Sequence, residues 1–182
     1  MSEIFFTSDP HYGHANILKY CPRPYSTLEE MNNGLLEEHN RIVGPKDTVW
    51  FLGDIVFGKQ DLDLNRLNGI KHLILGNHDR PDKLSKYFSS MQHYRELTDV
   101  YSDQKNPLVL MHYPILSWNK LRHGAIHLHG HSHGTMDNSG TLRFDVGVDC
   151  WDMKPISIDS VLELIPRRKE EAETKREEST DY

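Results

Sequence analysis

Short apolar segments that run directly into aspartate, asparagine or histidine recur along this chain, and they constrain its fold more than any other feature. The clearest is residues 71–79, in which three aliphatic side chains precede the sequence Gly-Asn-His-Asp. A short apolar run that ends in turn-forming residues is typical of a buried strand in a parallel sheet. Open α/β sheets bind ligands beyond the carboxyl ends of their strands. The segment therefore predicts a polar site at a strand end, although glycine and asparagine alone would also suit an ordinary turn.

The same layout at four further places decides between these two interpretations. Apolar runs also lead into Asp9 and His11, into Asp54, into His112, and into His131 and His133. One or two such coincidences could arise by chance. Five strand ends that carry the same kinds of side chain predict one shared site instead.

Hydrophobic patterning predicts the elements that carry these side chains. Strands are expected at residues 3–8, 48–52, 71–75, 92–101, 107–111, 125–129 and 142–148. Helices are expected at 14–20, 26–44 and 81–90, and either a helix or a strand at 157–164. The longest helix has two candidate capping boxes at its start, Ser26 with Glu29 and Thr27 with Glu30.

Length, charge and cysteine content limit the class of protein. A chain of 182 residues fits one domain with a real core. The net charge of −6 argues against binding to duplex nucleic acid, but bound divalent cations would reverse the local sign and allow a phosphate substrate. The two cysteines lack CxxC spacing, so no disulfide scaffold is expected. No stretch resembles a signal peptide or a transmembrane segment, so we expect a cytoplasmic protein without a membrane partner.

Two parts of the chain differ in composition. Residues 1–166 contain all the apolar runs and are expected to form one domain. Residues 167–182 are highly charged and have no apolar stripe, so a solvated helix extension or a disordered tail is expected there. Because nothing in this tail is expected to pack, the sequence predicts that it is dispensable.

The side-chain types at the shared site indicate metal binding. Carboxylate, imidazole and amide ligands without a thiolate suit Mn, Fe, Co, Ni or Zn, and not a cysteine-type zinc site or an all-oxygen Mg or Ca site. The candidates are too many for one ion, so two ions that share a carboxylate about 3.5–4 Å apart are expected. His127 and His129 lie on one face of their strand and are interpreted as packing residues or as partners of the ligands.

The motif series also resembles a known superfamily. Asp-x-His, Gly-Asp, Gly-Asn-His-Asp, His and Gly-His-x-His, which span residues 9–133, closely resemble the calcineurin-like metallophosphoesterases. Residues 8–17 and 23–25 look like a small, uncapped bacterial and phage branch of that superfamily. One departure is Tyr12, where many members have a glycine after the histidine, and this residue is expected to shape the pocket. The resemblance implies an α/β fold, specifically a four-layer α/β/β/α sandwich of two mixed sheets, with a dimetal site along one edge.

Residue roles are implied by the same resemblance. The first ion would be held by Asp9, His11 and His133, the second by Asn77, His112 and His131, and both by Asp54. Manganese is favoured as the metal, and the nucleophile would be a water or hydroxide shared by both ions. His78 would donate a hydrogen bond or proton to the leaving or non-bridging oxygen, with Asp79 holding its imidazole in place.

Three further residues are candidates for substrate binding: His14, Asn16 and Arg23. Arg23 lies on a rigid proline-flanked loop, and a guanidinium is well shaped for phosphate, although a surface or capping role is an alternative for each of the three. The resulting hypothesis is a hydrolase, a metal-dependent phosphodiesterase acting on small nucleotide or nucleotide-like diesters. A phosphomonoesterase or protein phosphatase remains open. A non-catalytic scaffold would predict loss of ligand residues, and none of the motif ligands is missing from the sequence.

Overall fold

A computed structural model of the chain describes residues 2–58, 63–100 and 105–180. Within these ranges the strands are β1 (Ile4–Thr7), β2 (Thr48–Phe51), β3 (Ile70–Ile74), β4 (Ser90–Gln92), β5 (Tyr94–Leu97), β6 (Leu108–Met111), β7 (Ile126–His129), β8 (Arg143–Asp145) and β9 (Ile156–Ser157). The α-helices are α1 (Ile17–Tyr20), α2 (Leu28–Ile42), α3 (Pro81–Leu84), α4 (Ile158–Glu163) and α5 (Ile165–Thr180). Every strand expected from the sequence has a counterpart, although the last residue of the expected strand at 92–101 lies outside the described ranges.

The strands form two mixed sheets. The first has the order β4-β3-β2-β1-β9, with β9 antiparallel to β1 and the other neighbours parallel. The second has the order β5-β6-β7-β8, with β5 antiparallel to β6 and the remaining pairs parallel. The predicted α/β class with two mixed sheets is therefore confirmed. In each sheet, the strands that precede the candidate ligands all end at the same edge.

Alternating side chains of the two sheets build an apolar core between them. Phe6 of β1 and Trp50 of β2 are buried in one cluster with Leu110 of β6 and Leu128 of β7. Val161 of α4 is buried in the same cluster. Because a shift of one residue along any strand would turn these side chains to the opposite face, the core fixes the register of both sheets.

Helix α2 covers the other face of the first sheet. Its Met31 and Leu35 are buried in a cluster with Phe5 of β1. The helix begins with the second of the two expected capping boxes. Thr27 Oγ1 accepts a hydrogen bond from Glu30 N at 3.1 Å, and Glu30 Oε2 accepts one from Thr27 N at 3.2 Å.

The outer face of the second sheet is covered by residues 113–125. Trp118 packs against Val109 of β6, and its indole Nε1 donates to the carbonyl oxygen of Ala125 at 2.9 Å. His127 and His129 lie fully buried, and each donates from Nδ1 to a backbone carbonyl. Burial of both rings agrees with the packing alternative of the prediction.

The helix expected at 81–90 is shorter than predicted, because its end belongs to a strand. Helix α3 ends at Leu84, and β4 begins at Ser90 beside β3. Ser89 N donates to the carbonyl of Lys71 at 2.8 Å, and Ser90 Oγ lies 2.7 Å from His72 Nδ1. Pairing with β3 therefore determines the conformation of this segment, which its own sequence pattern did not indicate.

The charged C-terminal segment forms a helix that contacts the domain. Ile165 at the start of α5 packs against the core between the sheets, and the Arg168 guanidinium lies 5.4 Å from the ring centroid of Phe144. Glu171 accepts a hydrogen bond from Gly140 N at 3.2 Å. The segment is helical, which was one of the two alternatives expected from the sequence. The expectation that none of its side chains packs against the domain is wrong. No helix in the described ranges is long and apolar enough to cross a membrane.

A chain that ends after Pro166 is therefore expected to be less stable than the full-length protein. A cation–π contact such as that between Arg168 and Phe144 is worth about 0.5–1 kcal/mol at an exposed site, which corresponds to about 1–4 °C in melting temperature for a chain of this size. Thermal unfolding of the two forms measures the difference. A chain that ends after Thr174 keeps the contact and should melt at a higher temperature than the chain that ends after Pro166. Equal melting temperatures for all three forms would contradict a docked α5.

Candidate metal centre

The loops after five strands bring the predicted ligands together around Asp54. Its carboxylate Oδ2 lies 3.7 Å from His11 Nε2 and 3.7 Å from His112 Nε2. His78 Nε2 is 3.9 Å from the same oxygen. Asp54 itself is buried, and its other oxygen accepts a hydrogen bond from His78 N at 2.9 Å. One carboxylate oxygen is thus surrounded by three imidazoles that come from both sheets.

Several buried polar atoms at this centre have no hydrogen-bond partner among the residues that the structure describes. They are Oδ1 of Asp9, both ring nitrogens of His11 and Nδ1 of His14. Buried polar atoms in folded proteins nearly always have a partner, so a cluster of orphans requires an explanation. The ligating atoms of Asp9, His11 and His133 lie within 4.8 Å of one another, as do those of Asp9, Asp54 and His112. The residues present therefore fit bound cations.

Hydrogen bonds orient two of the candidate imidazoles. His112 Nδ1 lies 2.7 Å from the carbonyl oxygen of Leu52, which can only accept, so Nδ1 carries the proton. Its Nε2 then presents a lone pair, and it lies 3.0 Å from Asn77 Oδ1. His133 Nδ1 donates in the same way to Asp149 Oδ2 at 2.7 Å. Metal-binding histidines typically donate the proton of one ring nitrogen to an oxygen and bind the metal through the other nitrogen.

The backbone at the centre adopts a conformation that side chains rarely take. Asp9, His11, Asp54, His131 and His133 all have φ between 47° and 67°. Left-handed backbone at a residue with a side chain costs roughly 1–3 kcal/mol and concentrates at functional sites. The fold holds five candidate ligands in this conformation, which supports a role for the loops beyond chain reversal.

Burial changes the protonation of the ligands. Burial raises the pKa of Asp9, and it lowers the pKa of His11, with the neighbouring His133 and Arg23 acting in the same direction on His11. His11 is therefore a neutral imidazole with a free lone pair. A bound cation would lower the pKa of Asp9 and favour its ionised carboxylate.

Asp79 does not hold the His78 imidazole as predicted. Its Oδ1 accepts from Ile55 N at 2.9 Å, and its Oδ2 accepts from Asp54 N at 2.9 Å and from Gly76 N at 2.8 Å. Backbone amides occupy both carboxylate oxygens, because the loops after β2 and β3 approach each other there. Asp79 therefore positions the Asp54 loop and is not the partner of the imidazole.

Arg23 is not a substrate-binding residue in this structure. Its guanidinium is fully buried, and Nε and Nη2 donate to the two oxygens of Asp149, each at 2.8 Å. Nη1 donates to the carbonyl of Pro10 and Nη2 to the carbonyl of Asp9, each at 2.8 Å. The proline-flanked loop turns the side chain inward beneath the ligands, so it cannot reach a phosphate outside.

The two other substrate candidates differ in position. His14 stacks on Phe57 with ring centroids 3.9 Å apart, and His78 contacts the same ring edge-on at 5.1 Å. The His78 side chain is 42% exposed, so it can meet a bound molecule. Asn16 is exposed at the start of α1, where its side chain makes no capping hydrogen bond. The structure thus places His14 and His78 beside the ligands, and it gives no contact that brings Asn16 to them.

Two aspartates that sequence reasoning did not select organise the loop after β7. Asp145 accepts from Ser132 Oγ at 2.8 Å and from Gly134 N at 3.0 Å. Burial acts to raise the pKa of Asp149, but the hydrogen bonds from His133 and Arg23 outweigh it and lower the pKa to about 2. A carboxylate within the apolar run at 142–148 was the available signal for Asp145. No local pattern distinguishes Asp149.

Gly130 allows the loop after β7 to approach the loop after β1. A β-carbon at this position would collide with Ser8 Oγ and Asp9 Oδ2. We therefore expect Gly130→Ala to lower the free energy of unfolding by about 1–3 kcal/mol, the usual cost of overpacking a filled site. Urea unfolding measures the change. The control is Gly44→Ala, whose β-carbon would meet only Asp47 side-chain atoms, at 3.2 Å or more. Equal stability of the two variants would contradict the close approach.

Relatives of the chain are found in an archaeon and in bacteriophages. The uncharacterized protein MJ1445 of Methanocaldococcus jannaschii is 36% identical over 180 residues, which cover 93% of this chain and 94% of that protein. The chain belongs to the same family. The gene 66 protein of Mycobacterium phage D29 is 32% identical over 199 residues, covering 91% of this chain and 96% of that protein. No protein-family model matches the sequence.

A solved structure shares the fold. The crystal structure of the protein of unknown function AQ665 from Aquifex aeolicus superposes with a TM-score of 0.70 at 24% identity. The match covers 90% of this chain and all of that one. The two-sheet α/β arrangement therefore occurs in a protein whose sequence has diverged widely.

Proposed function

We propose that this protein is a dinuclear-metal-dependent phosphodiesterase of the calcineurin-like metallophosphoesterase type. The observation that carries the proposal is the position of Asp54 Oδ2, which lies within 3.7–3.9 Å of three imidazole nitrogens. A carboxylate oxygen that three imidazole nitrogens approach, beside buried Asp9 and His11 atoms that have no hydrogen-bond partner in the described part of the chain, suits two cations that share one ligand.

The ligand sets for the two ions are those that the superfamily resemblance implies. Asp9, His11 and His133 would hold the first ion, Asn77, His112 and His131 the second, and Asp54 both. This assignment is supported by the mutual proximity of the Asp9, His11 and His133 ligating atoms and by the contact between His112 Nε2 and Asn77 Oδ1. Two divalent cations, with manganese favoured, would activate water at neutral pH and neutralise charge on the phosphoryl oxygens.

The side chains that are not ligands have separate tasks in this reaction. His78 is exposed at the mouth of the centre and would hydrogen-bond or protonate the departing oxygen. Phe57 lies against both His78 and His14, so it restricts the orientation of both rings. Asp79 fixes the loop that carries Asp54 by accepting three backbone hydrogen bonds. The residues thus divide into those that would touch the substrate and those that hold the ligands in place.

The choice of a phosphodiester substrate rests on the motif series and on the openness of the site. The motifs Gly-Asn-His-Asp and Gly-His-x-His supply metal ligands, as the superfamily resemblance implies. The first motif also contains His78, which is assigned to neither ion. No inserted domain covers the centre within the described ranges, which favours small nucleotide-like diesters. The proposal includes a four-layer sandwich, which is supported by α2 outside one sheet and residues 113–125 outside the other.

A substrate panel tests this function. The protein is stripped with a chelator and reloaded separately with Mn, Co, Ni, Zn or Mg. Hydrolysis of bis-aryl and nucleotide diesters is then compared with hydrolysis of aryl, nucleotide and phosphopeptide monoesters. Metal-dependent turnover of diesters in preference to monoesters is expected. A monoester preference would replace the phosphodiesterase by a phosphomonoesterase, and absence of turnover in every reloaded form would contradict both enzymes.

A further inference from the structure

A buried ion pair outside the motif series links the residues assigned to the first ion. Arg23 comes from the loop after α1, and Asp149 from the short 3-10 helix Val148–Cys150. They are 126 residues apart in sequence, and two hydrogen bonds of 2.8 Å join the guanidinium to the carboxylate. The exposed fractions of the two side chains are 0% and 6%. Neither side chain is available to a substrate.

The guanidinium also holds the loop after β1. Arg23 Nη1 and Nη2 donate to the carbonyl oxygens of Pro10 and Asp9, each at 2.8 Å. These two carbonyls belong to the three-residue segment in which Asp9 and His11 have left-handed backbone conformations. A planar guanidinium with several donors can bind both carbonyls and a carboxylate at once, which a lysine ammonium cannot do in the same geometry.

The carboxylate extends this link to the loop after β7. Asp149 Oδ2, which accepts from Arg23 Nη2, also accepts from His133 Nδ1 at 2.7 Å. Asp149 therefore holds the Nδ1 proton of His133, which leaves Nε2 as the nitrogen that would bind the ion. The Arg23–Asp149 pair therefore binds both the backbone of the loop that carries Asp9 and His11 and the side chain of His133. These loops follow strands of two different sheets.

The ligands assigned to the second ion have other supports. His112 is oriented by the carbonyl oxygen of Leu52, and Asn77 follows β3 on the loop that Asp79 fixes. His131 N donates to Asp9 Oδ2 at 2.8 Å, and its ring packs against Tyr113. No hydrogen bond of the Arg23–Asp149 pair reaches Asn77, His112 or His131 among the described contacts. The pair is therefore specific to one half of the centre.

We propose that the Arg23–Asp149 pair positions the ligands of the first ion. The pair thereby raises the affinity of the protein for the first ion and leaves its affinity for the second ion unchanged. This inference rests on the proposed dimetal function. Fold stability alone is a weak explanation for the pair, because buried ion pairs typically contribute little net stability relative to apolar replacements. Outer hydrogen-bond partners of ligating histidines, by contrast, typically change metal affinity by about 10–100-fold when they are removed.

Metal titration of chelator-treated protein tests the inference. Calorimetry with Mn²⁺ alone, in the absence of substrate, should show two ions bound to the wild-type protein. In Asp149→Asn we expect the affinity for one ion to fall by about 10–100-fold, with the other affinity unchanged. The Asp149→Asn binding profile should match that of His133→Ala, which removes a ligand of the first ion, and should differ from that of His112→Ala.

The controls separate positioning from a general defect. Asp47→Asn alters a carboxylate that accepts two backbone hydrogen bonds far from the centre, and it should leave both affinities unchanged. Arg23→Lys should weaken the first ion as Asp149→Asn does, and the double variant should lose less than the sum because the two side chains act together. Equal weakening of both ions, or unchanged affinities in Asp149→Asn, would overturn the positioning role while leaving the dimetal function intact.

Two further outcomes remain interpretable. If wild-type protein binds neither Mn²⁺ nor Co²⁺, the proposed function fails, and the positioning role fails with it. If Asp149→Asn does not fold, proton–nitrogen correlation spectra of the zinc-loaded wild-type protein replace it. They should show His133 protonated at Nδ1 and coordinated through Nε2. Protonation at Nε2 would overturn the inference.

Discussion

Asp54→Ala is expected to abolish most of the activity and to release most of the bound metal. Asp54 Oδ2 is the oxygen that three imidazole nitrogens approach within 3.7–3.9 Å, and Asp54 is the one carboxylate assigned to both ions. Lewis-acid stabilisation by a metal ion is worth several kcal/mol in the transition state, so we expect kcat/KM to fall on the order of 10³-fold. Elemental analysis and kinetics on the same preparation measure both effects.

The matched control for Asp54→Ala is Asp159→Ala, which removes an exposed carboxylate from the first turn of α4. It should retain the metal content and the turnover of the wild type. Thermal unfolding of both variants in excess chelator shows whether the fold itself survives without the metal. An Asp54→Ala protein that keeps two ions and full turnover would exclude the shared-carboxylate assignment.

His78→Ala is expected to discriminate between leaving groups. An alkyl diester releases an alkoxide, which leaves poorly without a proton or hydrogen bond, whereas an aryl phosphate releases a stabilised phenolate. General acid–base assistance is typically worth ~10²–10⁴-fold. We therefore expect a loss of that order on alkyl diesters and a much smaller loss on an activated aryl phosphate. Parallel kinetics on the two substrates measure the ratio.

Metal content decides how the His78→Ala result is interpreted. His78 Nε2 lies 3.9 Å from Asp54 Oδ2, and its side chain faces outward, so two ions should remain bound. His93→Ala, at an exposed histidine between β4 and β5, should leave both activities unchanged. Equal losses on the two substrates would assign His78 to phosphate positioning. Loss of an ion would make it a ligand.

The strand ends could be predicted from the sequence because the signal is local. A buried strand requires a few consecutive apolar residues, and the polar residues that follow it, such as Asp9 or Asn77, lie next to that run in the chain. The capping box at Thr27 and Glu30 was readable for the same reason, since both partners lie within one helical turn. Prediction succeeded where the interacting groups are sequence neighbours.

The errors concern partners that are distant in the chain. Asp79 follows His78 directly, which suggested that the carboxylate supports the imidazole, but its oxygens bind amides of the Asp54 loop 25 residues away. Arg23 and Asp149 have no pattern that links them, because their contact exists only after the two sheets pack. Docking of Arg168 on Phe144 likewise depends on where α5 emerges from the core.

The distribution of ligands between the sheets has a consequence for how the molecule opens. Asp9 and His11 follow a strand of the first sheet and His133 one of the second, and Asn77 and His112 divide in the same way. Each proposed ion is thus a cross-link between two sheets, which are also joined by the apolar core between them and by a few hydrogen bonds such as that from His131 N to Asp9 Oδ2. Loaded protein should exchange its amide hydrogens and resist proteases as a single cooperative unit. After chelation, the carboxyl-terminal ends of both sheets should become the first region to exchange and to be cut.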